Sequence, residues 1–129
     1  MSAAVESLLE TLAQHGERVA LVQAGQQLSY TQLLHEISAR ADGLRQVGAK
    51  RLGLALDNGL EWVLWDLAAL VAGIVCVPVP GFFSGAQQRH VLDSAGVDSL
   101  IAADTAAFAA LGFGAAVAQI AQRSLPTVA

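Results

Sequence analysis

Few residues of this chain have the type and spacing that chemistry requires, and each has a structural use that competes with the chemical one. Asp57 and Asn58 follow a short apolar run, the place where active-site loops sit at the carboxyl ends of parallel strands. A turn or helix-cap role outweighs binding there, because Asp and Asn are favoured in both. Phe82 and Phe83 follow Pro80-Gly81 and are candidates to line an apolar substrate channel, with anchoring of the loop as the weightier use. Ser84 has no G-x-S-x-G elbow around it, so a helix N-cap outweighs a nucleophile. His15, His35 and His90 have no ligand-type partner at i+4, which argues against a metal centre. Cys76 lies in an apolar run and reads as a small buried hydrophobe. Gly112-Phe113-Gly114 lacks the third glycine and the preceding strand of a dinucleotide loop. No G-x-x-x-x-G-K-[ST] occurs, so the backbone cradle and cation of nucleoside triphosphate chemistry are missing. The residues alone therefore assign no catalytic group, cofactor ligand or metal ligand.

Composition narrows the classes further. The chain has 129 residues, 54% hydrophobic and 14% charged, with net charge −4 and one lysine, Lys50. Nucleic-acid binding is excluded, because phosphate contacts need clustered Lys and Arg. A chain this apolar is expected to hide a face against another layer or partner. Trp62 to Val79 is apolar enough to imitate a membrane span, but Asp66 falls inside it and Gly73 splits it. A buried helix followed by a buried strand explains the same letters, so no transmembrane segment is expected. The single cysteine excludes an internal disulfide, and no basic, apolar leader is visible at the N-terminus. The expected compartment is the cytoplasm.

The elements that must position these residues are well punctuated. Val5, Leu8, Leu9 and Leu12 share one helical face over Ser2–Gln14. Arg18–Val22 and Gln27–Ser29 form a small hairpin. Ser29 and Gln32 fit a capping box ahead of a helix that Gly48 ends. Arg51–Leu56, Leu60–Ala72 and Ile74–Val79 read as strand, helix, strand. On the helix, Leu60, Val63, Leu64, Leu67 and Val71 make the expected core stripe, with Trp62, Trp65 and Ala69 toward the other side, itself expected to be covered. Ser84 and Gln87 fit a second capping box, Asp98–Ala102 a further strand, and Asp104 caps a short helix to Leu111. Ala115–Arg123 is open between helix and strand. The fold class is α/β: a largely parallel sheet with helices on both faces and a small N-terminal hairpin.

Three segments together resemble the start of the adenylate-forming synthetases, the family of acyl-CoA synthetases, luciferases and peptide-synthetase adenylation domains. The first is Val19–Gln46, with Ser29, Tyr30 and Leu33 in the family's "T/S-Y-x-x-L" helix. The second is Leu52–Pro80, where Leu56, Asn58, Glu61, Trp62, Val63, Leu67, Ala68 and Leu70 match, followed by Ala72, Gly73, Val75, Val77, Pro78 and Pro80. The third is Phe83–Ile101, matched by Ser84, Leu92, Ser94, Gly96, Leu100 and Ile101, with Ala95 one residue inserted or shifted. The resemblance covers about four fifths of the chain, within the usual uncertainty of such boundaries.

What the resemblance implies is a parent that activates a carboxylic acid with ATP to an acyl-adenylate and passes it to a thiol. It implies ATP, Mg and coenzyme A for the complete enzyme and none of them in this chain. The family's phosphate loop and its later nucleotide motifs and lysine are absent. Residues 1–124 are thus expected to be an N-terminal subdomain, inactive alone, with 125–129 a linker toward the phosphate-loop region. Its partner would be the remainder of the synthetase or a second copy, through an apolar face. The alternative is a free-standing, non-catalytic interaction module of the same fold.

Overall fold

The computed structural model describes residues 2–125. Helix α1 (Ala3–Ala13), with Ser2 as its N-cap, precedes an antiparallel hairpin of β1 (Val19–Gln23) and β2 (Gln26–Ser29). Ser29 then starts α2 (Tyr30–Gln46) through a complete capping box: its Oγ accepts the Gln32 N–H, and Gln32 Oε1 accepts the Ser29 N–H. Two orphan donors of the first turn are satisfied in this way.

The second unit is the sheet. Strand β3 (Arg51–Ala55) leads through α3 (Leu60–Ala72) to β4 (Val75–Pro78), and α4 (Gly85–Ser94) carries the chain back to β5 (Ser99–Ala102). The strand order is β4-β3-β5-β6, with β3 parallel to both neighbours and the two-residue β6 (Ala121–Gln122) antiparallel to β5. Leu52 pairs with Cys76 on one side and Ser99 on the other. Gly73 closes α3 in the left-handed conformation at φ 73°, where its N–H reaches the Ala69 and Leu70 carbonyls. Helix α3 has 13 residues, and among the described residues no helix is long and apolar enough to cross a membrane.

Side-chain alternation divides the core between the two faces. Leu52, Leu54 and Ile101 join α2 and α3 in one cluster through Leu33, Ile37, Leu44 and Leu64. Leu100 joins Leu92, Val97, Phe108 and Phe113 in the other. Helices therefore cover both faces, as the alternating elements predict. Gly53 lets the second layer close on the central strand: a Cβ there would meet Leu100 Cδ1 at 3.1 Å and Leu92 Cδ2 at 3.2 Å.

One local expectation is corrected, and two are refined. The buried stripe of α3 is Leu64, Trp65, Ala68, Ala69 and Val71, whereas Leu60, Val63 and Leu67 are only half-buried. The large ring of Trp65 takes the inward position, and Arg40 of α2 lies over it, 5.5 Å from its centroid. Helix α2 thus covers Trp65 on this side. That small helix, Thr105–Leu111, is 3-10 throughout. Ala115–Arg123 resolves as a turn closed by the Val117–Ile120 bridge and then β6. Most of the expected linker, residues 126–129, lies outside the described residues, as does Met1.

Candidate functional site

The loops after β3 and β4 leave the sheet side by side at its carboxyl edge. The first runs into α3, on the face that carries Leu52 and Leu54. The second leads to α4, on the face that carries Leu100. Where neighbouring connections diverge in this way a parallel sheet opens a crevice. A cleft of about 390 Å³ occupies it. Leu56, Asp57 and Asn58 line one side, Pro80, Gly81 and Phe82 the other, and Trp62 of α3 also lines it.

The helix that begins here is capped in an unexpected way. Its N-cap is Gly59, which offers no side chain. The Leu60 N–H instead donates to Gln23 Oε1 at 2.7 Å, from the hairpin. The cap role expected of Asp57 and Asn58 is therefore corrected: both are exposed on the cleft, and neither side chain takes a hydrogen bond among the described residues. No signal in the local sequence points to Gln23, because the contact spans 37 positions.

Phe82 lines the cleft and is 85% exposed. Phe83 does not line it; half-buried, it meets Phe82 edge-to-face with centroids 5.2 Å apart. Ser84 caps α4, with its Oγ accepting the Gln87 N–H at 3.2 Å. Arg89 and His90 border a separate, wider depression of about 690 Å³ between α4 and the 3-10 helix, alongside Asp93. His15 stacks on Tyr30, and the three histidines come together nowhere among the described residues. Gly112 is the left-handed cap of the 3-10 helix, φ 91°, as a turn reading of Gly112-Phe113-Gly114 requires. Cys76 is half-buried, and burial together with the nearby Asp66 carboxylate pushes its thiol up to about 12.

The cleft, among the described residues, offers nucleotide phosphates no cation. The only charged group lining the cleft among the described residues is a carboxylate, which repels phosphate. Among the described residues no three His, Cys, Asp or Glu side chains form a metal-holding group.

Comparison with known proteins gives this fold its relatives. The family model for AMP-binding enzymes matches residues 8–127. The chain is 36% identical over 106 residues to the mitochondrial medium-chain acyl-CoA ligase of Homo sapiens, covering 78% of this chain and 17% of that ligase. It is 32% identical over 95 residues to a linear gramicidin synthase of Brevibacillus parabrevis, covering 71% of this chain and 1% of that protein. Among solved structures, the N-terminal subdomain of NpsA from Klebsiella oxytoca, in complex with 3-hydroxyanthranilyl-AMSN, superposes with a TM-score of 0.72 at 25% identity. That match covers 83% of this chain and 28% of the other. A mutant coronafacic acid ligase from Pectobacterium brasiliense shares the fold with a TM-score of 0.71 at 21% identity, covering 76% of this chain and 20% of its own. This chain spans about a sixth of the length of the medium-chain ligases it matches. Its three matching segments, its α/β sheet and a family match over nearly all of its length agree: the chain belongs to the AMP-binding enzyme family.

Proposed function

We propose that this chain is the opening part of an acid–thiol ligase that works through an acyl-adenylate, and that residues 1–124 have no ligase activity by themselves. The observation that carries this is the family match over residues 8–127 on a chain that spans so small a share of its ligase relatives. The acyl-CoA ligase relatives support an acid substrate and coenzyme A as acceptor. ATP and Mg belong to the same reading, and their seats would lie outside the described residues. The NpsA subdomain, solved with an aryl-AMSN, supports the view that this fold stands beside an adenylate site.

In the complete enzyme Phe82 and Phe83 would contribute to the wall of the apolar acyl channel, Phe82 directly and Phe83 by bracing its ring. The partner would be the rest of the synthetase, or a second copy, against apolar surface. Val22, Leu70 and Val75, at 69%, 46% and 48% exposure, are the side chains such a contact would cover. Residues 125–129 would lead toward the phosphate-loop region. The same surface favours the second reading, a non-catalytic interaction module. A cytoplasmic location belongs to the proposal too, supported by the single unpaired cysteine; a relative named as mitochondrial argues the other way.

Acid-dependent exchange of pyrophosphate into ATP tests the reading, with fatty and aromatic acids as substrates. The 129-residue chain should show none. The full open reading frame that contains it should show clear exchange. Turnover by the short chain would overturn the proposal. A stop codon directly after Ala129 would favour the interaction module.

A further inference from the structure

The cleft at the carboxyl ends of β3 and β4 has a chemical character of its own. Its one charged lining group among the described residues is Asp57, and none of their lysines, arginines or histidines lines it. Two aromatic side chains, Trp62 and the largely exposed Phe82, line it as well. Gly81 keeps the space near the carboxylate open, since a Cβ there would stand 3.8 Å from Asp57 Oδ1. The cap supplied by Gln23 leaves Asp57 and Asn58 without a side-chain partner among the described residues.

A cation is attracted to the face of an aromatic ring by the ring quadrupole, and tryptophan is the best of the three ring types. A carboxylate beside the rings adds Coulomb attraction and accepts N–H donors. The positive end of α3 would by itself favour an anion. Gln23 takes one of its orphan N–H donors, however, and the full negative charge of Asp57 at the same end exceeds the helix's partial positive charge. An anionic ligand would therefore meet a carboxylate with no cation to offset it.

We propose that this cleft binds a small organic ammonium ion, with its apolar body against Trp62 and Phe82 and its N–H donors on Asp57 and Asn58. This goes beyond the ligase reading and does not rest on it.

Benzylamine, benzyl alcohol and benzoate test it, being one shape with three head groups. Each is titrated into the 15N-labelled chain at neutral pH and followed by amide and indole shifts. Benzylamine should shift the amides of Asn58, Gly81 and Phe82 and the Trp62 indole saturably, while the buried Trp65 indole stays put. Benzyl alcohol should bind roughly three- to thirtyfold more weakly, the combined scale of an exposed cation–π contact and an exposed charge pair. Benzoate should bind most weakly. Asp57→Asn should remove the charge-pair share of that gap, leaving benzylamine between its original affinity and that of benzyl alcohol, with an unmoved Trp65 indole reporting an intact fold. Gly81→Ala, which narrows the space near the carboxylate, should weaken benzylamine without touching the charge. Benzoate binding as well as benzylamine would overturn the proposal. So would the absence of saturable shifts at the cleft, or unchanged benzylamine affinity in Asp57→Asn.

Discussion

Gln23 of the N-terminal hairpin and Leu60 at the start of α3 are joined by a 2.7 Å hydrogen bond from the Leu60 N–H to Gln23 Oε1. The bond ties the two-stranded hairpin to the helix that packs on the main sheet. An isolated hairpin is marginal in water, so this cap helps hold it in place. It also explains Gly59. A Cβ at that position would stand 2.6 Å from Gln23 Nε2, although the backbone at φ 169° is extended and admits any residue.

Gln23→Ala should therefore cost about 1 kcal/mol, the usual cost of losing an N-cap. Gly59→Ala should cost a similar amount, by displacing the glutamine and not by straining the backbone. The two losses should not add: in the Gln23→Ala background, Gly59→Ala should be nearly neutral. Urea midpoints of the four proteins in the cycle check this. Full additivity would mean that the glycine serves another purpose.

The two capping boxes give a matched pair. Ser29 is 9% exposed at the junction of hairpin and α2, whereas Ser84 caps the exposed start of α4. Ser29→Ala should lower stability by about 1 kcal/mol. Ser84→Ala should cost less, because water replaces the lost acceptor at an exposed helix end. Equal midpoint shifts in urea unfolding would contradict this ordering.

How much of this molecule is legible in its sequence depends on how local the determinants are. Capping boxes, left-handed glycines and apolar runs act within a few residues, and they locate α2, α3, β3 and β4 closely. The orientation of α3 is set by its neighbours. Its two apolar sides compete, and contact with α2 and Arg40 decides for Trp65. The segment after Leu111 carries little local preference. Its course is fixed by Ile120 and Ala121 packing into the two cores and by Arg123. At the cleft, Phe82 and the Asp57-Asn58 turn stand out from the sequence alone, but the release of those two side chains from capping depends on the distant Gln23.

Arg123 fastens that late segment. Its side chain is 7% exposed and donates to the carbonyls of Val97 and Leu92, both at 2.8 Å, and of Leu111 at 3.2 Å. It also pairs with Asp93 at 2.8 Å and lies over the Phe113 ring at 4.9 Å. Arg123→Ala leaves several carbonyls without their donor and should cost about 2–3 kcal/mol. Arg123→Lys should recover little, since an ammonium cannot reproduce the planar fork. Chemical denaturation distinguishes these outcomes from the few tenths expected of the exposed Asp93 pair alone.

The Cys76 thiol has the clearest pH consequence. Burial and then the Asp66 carboxylate raise its pKa from 9.0 to about 12 in the folded chain. A group that holds its proton more tightly when folded favours the fold below its unfolded pKa. That contribution is complete below about pH 9 and falls away as the pH rises toward about 12. Alkylation by iodoacetamide requires the thiolate, so at about pH 8 the folded chain should react far more slowly than the chain in urea. Asp66→Asn removes the carboxylate's charge but leaves the burial. It should lower the thiol pKa part of the way and speed alkylation of the folded protein, moving the midpoint of the rate–pH profile downward. An unchanged profile would mean that burial alone sets the thiol's reactivity.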